Sequence, residues 1–198
     1  MIEVIITFIG VFIFLFVFWK RLKEDYITNQ VFSVATLVLI GIGIANIISR
    51  FYFNGWWFWM AFTGSFIGVI AGIIKYRLRF FEVVEAFVIA LLPWLGLTFL
   101  ALAFNTEVKT VIFTGIIVLL IIIFGFLDSR YKTFTWYRSG RIGFSGLTVL
   151  GLFFLIRAAV AVFLPNMVSF VGREDSILSA VIAFLSFFGL FNISRVRT

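Results

Sequence analysis

The chain has 198 residues, of which 63% are hydrophobic and 13% charged, the composition of a helical membrane protein. Its net charge is +7, but the basic residues fall in short clusters between apolar runs, with no basic strip carrying interleaved aromatics; topology accounts for the excess, and nucleic acid is discounted as a partner. Cysteine and histidine are both absent, so disulfides, thiol nucleophiles, imidazole bases and zinc clusters are excluded, and no metal or other cofactor is expected.

Seven apolar segments are predicted in chain order, at 2–19, 30–48, 56–74, 83–104, 110–127, 142–164 and 176–193. Each is long enough to cross a hydrocarbon layer of ~30 Å at ~1.5 Å per helical residue. The first does not resemble a cleaved signal peptide, because it carries Glu3 in front and its basic cluster behind. The sixth is loosened at its start by Gly140, Gly143 and Gly146. Connections are short, the longest being the polar stretch 128–141, and no linker, repeat or soluble domain interrupts them. The expected fold is an all-α integral membrane protein, a single transmembrane helical bundle over residues 1–198.

Orientation follows from lysine and arginine. Lys20, Arg21, Lys23, Lys75, Arg77, Arg79, Arg130, Lys132, Arg138, Arg141, Arg195 and Arg197 gather on one side, against Arg50, Lys109 and Arg173 on the other. The positive-inside rule therefore places the N-terminus outside and the C-terminus in the cytoplasm. Trp56, Trp57 and Trp59 at the outer face, with Trp19 and Trp136 near the inner one, read as an aromatic belt. The phenylalanines read as lipid-facing and packing residues.

Few residues in the apolar segments can carry chemistry. In the second segment, Asn46 is a lone amide, suited to an interhelical hydrogen bond or a ligand contact, and Arg50 is either an interfacial snorkelling arginine or a phosphate ligand. The third contains FTGSFIGVIAG, in which Gly64, Gly68 and Gly72 share one helix face. That stripe suits close helix packing. It also exposes polar backbone, with the Thr63 and Ser65 hydroxyls beside it, to a lipid headgroup. Glu82 and Glu85 open the fourth segment, where acid–base work is conceivable but caps and ion pairs are the simpler reading. Arg157 lies deep in the sixth segment, with no other charged residue between Arg141 and Arg173. An arginine at mid-membrane costs ~2.5–3.5 kcal/mol on insertion scales. Arg157 and Thr63 are expected at similar depth in the outer leaflet, where one cavity could serve both. No acid is expected at that depth, which makes a lipid phosphate the natural bidentate partner of Arg157.

Taken together, these features resemble the prolipoprotein diacylglyceryl transferase family. Thr63-Gly64-Ser65-Phe66-Ile67-Gly68 is similar to the family's His-Gly-Gly-x-x-Gly motif, with serine at the second glycine and threonine at the histidine. Glu82 and Glu85 are similar to the acidic entry of the family's fourth helix, but LGLTFLALAF stands where an Arg-x-Gly-Asn signature would follow. Arg157 looks like the sixth-helix arginine, with Ala161 in place of a glutamate four residues on. Gly43 to Arg50 resembles a Gly-Ala-Arg motif with Asn46 at the arginine, and Asp175-Ser176-Ile177-Leu178-Ser179 resembles the opening of the last helix. Only Asn105, Thr106, Glu107 and their neighbours occupy the place of the family's extracytoplasmic segment.

The resemblance implies a bacterial cytoplasmic (inner) membrane protein that moves diacylglyceryl from phosphatidylglycerol onto a lipobox cysteine of a prolipoprotein. Arg157 would hold the lipid phosphate and stabilise the leaving group, with Thr63 the other candidate for the chemistry. Gly64, Ser65, Gly68, Asn46 and Arg50 are the remaining candidates for lipid contact, and prolipoprotein signal peptides are candidate partners. The second arginine, the histidine and the glutamate are missing, so a non-catalytic relative that binds anionic phospholipid is a second expectation. A seven-helix transporter or assembly factor unrelated to the family is a third.

Overall fold

The computed structural model describes residues 2–53, 55–105, 110–134, 143–163 and 172–195. Seven helices, each long and apolar enough to cross a membrane, make up nearly all of it, with no strand among the described residues. They are α1 (Ile2–Leu22), α2 (Thr28–Tyr52), α3 (Trp57–Tyr76), α4 (Phe80–Asn105), α5 (Thr110–Arg130), α6 (Phe144–Phe163) and α7 (Arg173–Arg195), with one 3₁₀ turn at Tyr131–Thr133 after α5.

Most helices continue past the predicted apolar segments into polar sequence. α1 includes Lys20 and Arg21, α5 includes Asp128 and Arg130, and α7 begins at Arg173. The i→i−4 ladder persists wherever side chains are good helix formers, and long basic side chains reach polar surroundings while their stems stay in apolar ones. The start of the sixth segment at 142, and Trp136, Arg138, Gly140, Arg141, Thr106, Glu107, Lys109 and Arg197, lie outside the described residues.

α4 is the hub and touches α1, α3, α5 and α6; α2 pairs with α3, and α6 with α7. The α2–α3 pair owes its closeness to glycine. A Cβ on Gly64 would lie 2.3 Å from the Gly41 carbonyl oxygen, and one on Gly68 would lie 2.6 Å from the Leu37 oxygen and 2.7 Å from the Val38 Cα. Gly72 instead leaves room for the Val34 side chain, whose Cγ1 would lie 2.6 Å from an added Cβ. At Gly64 and Gly68 the stripe therefore packs backbone on backbone, the usual work of small residues between membrane helices.

At one end of the bundle, polar groups tie four helices together. Arg21 of α1 pairs with Glu85 of α4 and with Asp128 of α5, the latter at 2.5 and 3.0 Å. The other Glu85 carboxylate oxygen accepts the backbone N–H groups of Gly143 (2.9 Å) and Gly146 (3.2 Å), so an α4 side chain caps α6. Glycine is required at both places: Gly143 has φ +118°, and a Cβ on Gly146 would lie 2.6 Å from the Glu85 Cα. Glu82 pairs with Arg79 at 2.9 Å and accepts the Tyr26 hydroxyl at 2.5 Å. Both acids thus serve as ion-pair partners, and Glu85 also as a cap. The partner of Glu82 is the neighbouring Arg79, whereas that of Glu85 is Arg21, some sixty positions earlier in the chain.

Candidate functional site

The opposite end gathers the residues singled out by sequence. Arg157 of α6 is fully buried, at 0% exposure, and so is Asp175 of α7. Their side chains form an ion pair at 2.8 Å. This overturns the expectation that no acid lies near Arg157. α6 and α7 run antiparallel through a short connection, so the first turn of α7 returns alongside the last turns of α6. The Ser176 hydroxyl donates to the Ala158 carbonyl across the same joint at 3.2 Å.

Two aromatic residues of α3 complete the enclosure. The Phe58 ring lies 3.7 Å from the guanidinium carbon of Arg157, a cation–π distance. The Trp59 indole N–H donates to the Asp175 carboxylate at 2.9 Å, with the ring 5.7 Å from the guanidinium. Trp59 was expected in an interfacial belt; it is buried instead and belongs to this polar node. A charge in a low-dielectric interior needs both a counter-ion and hydrogen bonds, and the node supplies both. Sequence reasoning missed Asp175, Trp59 and Phe58. The available signal was a carboxylate 18 residues after Arg157, at the head of the next apolar segment.

The other candidates divide by face. Gly64 and Gly68 are buried against α2, and Thr63 points outward, exposed. The helices of Thr63 and Arg157 do touch, through Phe58 and Trp59, but Thr63 lies on neither side of that contact. Arg50 is exposed near the end of α2, one turn beyond Asn46 on the same helical face.

Asn46 and Ser65, by contrast, are brought together. Both line a half-open cavity of about 220 Å³, whose walls come from α1, α2, α3, α4 and α6. Thr7, Asn46, Ser65 and Thr98 are its small polar side chains, and the rest is apolar or aromatic, including Ala61, Leu91 and Trp94. Trp94 is held against α1 by Gly10, where a Cβ would fall 2.1 Å from the indole ring. Pro93 interrupts the α4 ladder beside the cavity, because it has no N–H to give the Ile89 carbonyl. The lining contains no ionisable side chain, so neither a general base nor a metal ligand set stands in it, and no cluster able to hold a metal ion occurs among the described residues.

Phe58 belongs to both places, lining the cavity while its ring covers Arg157, and Phe154, also in the lining, stacks on Trp59. The ion pair therefore lies just behind the cavity wall. No family model matches this chain, and neither a curated protein nor a solved structure does.

Proposed function

We propose that this protein is a diverged, lipid-binding relative of the prolipoprotein diacylglyceryl transferases, set in a bacterial cytoplasmic membrane with its N-terminus outside and its C-terminus in the cytoplasm. It holds an anionic phospholipid, with phosphatidylglycerol as the type, and does not transfer its diacylglyceryl group. The supporting observation is the cavity, which unites Asn46 and Ser65 in an apolar wall and lacks any ionisable group. An acyl chain suits such a wall, since apolar cavities of ~150 Å³ already stay dry and take apolar guests. Arg50, exposed one turn beyond Asn46, is the cation placed to meet the phosphate. Arg157 is committed to Asp175.

Transfer is a second reading, favoured by the double position of Phe58. A turn of that ring would open the guanidinium to a lipid phosphate in the cavity. One experiment separates the two. The protein is expressed in cells depleted of their own transferase, and a prolipoprotein is examined by mass spectrometry while lipids are extracted from the purified protein. Binding without transfer predicts co-purified phosphatidylglycerol, weakened in Arg50→Gln, and an unmodified lipobox cysteine. Lipidated cysteine that disappears in Arg157→Gln would establish transfer instead. Purified protein free of anionic lipid together with an unmodified cysteine would remove both.

A further inference from the structure

The cavity's small polar side chains form a band across an otherwise apolar lining, with Trp57, Phe58 and Ala61 on the mouth side of it and only apolar residues below. Counting from the helix ends on the Arg157 side at ~1.5 Å per residue, Thr7, Asn46, Thr98 and Ser65 lie about 7–12 Å in. Ile42, Leu150 and Leu91 lie about 15–21 Å in by the same count. A polar band with an apolar floor beneath it matches an amphiphile whose polar junction sits at the band and whose chain runs inward.

The hydrogen-bonding groups specify the junction further. The Ser65 hydroxyl donates to the Phe62 carbonyl at 2.7 Å and the Thr98 hydroxyl to the Trp94 carbonyl at 3.0 Å, so both protons are spent within their own helices. The Asn46 side chain makes no hydrogen bond among the described residues, which leaves its amide N–H groups for a guest. An apolar wall with no cation in it makes burying an anion costly, so the group that meets this amide is a neutral acceptor. In a glycerolipid that acceptor is the ester carbonyl, which joins the chain to the glycerol at the level of the polar band. The volume admits a stretch of one chain rather than a whole lipid.

We propose that the cavity recognises its lipid by an acyl ester: the Asn46 amide donates to the ester carbonyl while the attached chain descends past Ile42 and Leu91. This rests on the lipid-binding reading above and adds the group that is read. It predicts that the cavity distinguishes ester-linked from ether-linked lipids bearing the same headgroup and chain length.

The test uses the full-length protein in detergent, with diester and diether phosphatidylglycerol of matched chains competing for binding by native mass spectrometry. The wild type should prefer the diester about three- to tenfold, as one neutral hydrogen bond warrants. Asn46→Leu and Asn46→Ala should bind both lipids alike, and a thermal melt of each variant confirms folding. Equal binding by the wild type would overturn the ester assignment and leave lipid binding intact. Preference for the diester that survives in both folded variants would overturn the assignment to Asn46. Failure of either lipid to bind the wild type would refute the lipid-binding reading itself, and this inference with it.

Discussion

Asp175→Ala is the sharpest perturbation of the Arg157 node. It leaves a guanidinium of 0% exposure without its carboxylate and removes the acceptor of the Trp59 indole. Breaking a buried pair from one side costs ~3–5 kcal/mol, because the remaining charge is stranded. The lost indole bond overlaps with that cost rather than adding to it, since both partners share one carboxylate. At about 2–4 °C per kcal/mol for a chain of this size, the melting temperature should fall by roughly 6–20 °C. Arg157→Met with Asp175→Asn removes both charges yet keeps an oxygen for Trp59. Replacing a whole buried pair is often neutral, so the double variant should melt within a few degrees of the wild type. The assay is thermal unfolding of the purified protein in one detergent, followed by tryptophan fluorescence. If Asp175→Ala melts like the wild type, or the double variant no higher than the single one, the pair does not compensate a buried charge as argued.

Other consequences follow from the two helix-packing devices. Gly68→Ala should open the α2–α3 pair and lower stability by about 1–3 kcal/mol, because the new Cβ meets backbone that cannot give way, whereas Gly43→Ala meets nothing within 4 Å and should be tolerated; equal melting of the two would refute the packing assignment. At the Arg21 end, burial first and then the bond to Glu82 raise the Tyr26 hydroxyl above its ordinary value. A raised value means that the neutral phenol's contribution is complete below pH ~10 and is lost as pH climbs through the folded value. Stability should therefore show an extra decline above pH ~10 that Tyr26→Phe abolishes, and a decline unchanged in that variant would count against it.

The seven helices were legible because each apolar run is long and bounded by charge. The packing role of Gly64, Gly68 and Gly72 was legible for a related reason: four-residue spacing keeps small residues on one face whatever the fold. Pairings across the bundle were harder to read. Asp175 stands in the first turn of α7, where a carboxylate reads as a helix-terminus charge in the interface. By helical rise Arg157 lies about 9 Å from its helix end and Asp175 about 3 Å from its own, so one-dimensional depth separates them. The long arginine side chain closes that difference, and only the antiparallel packing of α6 on α7 reveals it. Trp59 misled in the same way, because a tryptophan at a segment's edge usually marks an interface and here turns inward to donate to Asp175. Of the candidate lipid contacts, Asn46 and Ser65 meet because Gly41 and Gly64 bring α2 and α3 together.

The central claim is that a phospholipid chain occupies the cavity between α3 and α4. Ala61, in its wall, can be enlarged to phenylalanine to fill part of the cavity while every residue of the Arg157 node and of the glycine stripe is kept. Native mass spectrometry of wild-type and Ala61→Phe protein, each with its melting temperature, measures the lipid retained. The account predicts phosphatidylglycerol on the wild type and at least a tenfold loss in the variant, a change of ~1.4 kcal/mol or more, with little change in melting. Undiminished lipid on a folded Ala61→Phe protein would contradict it.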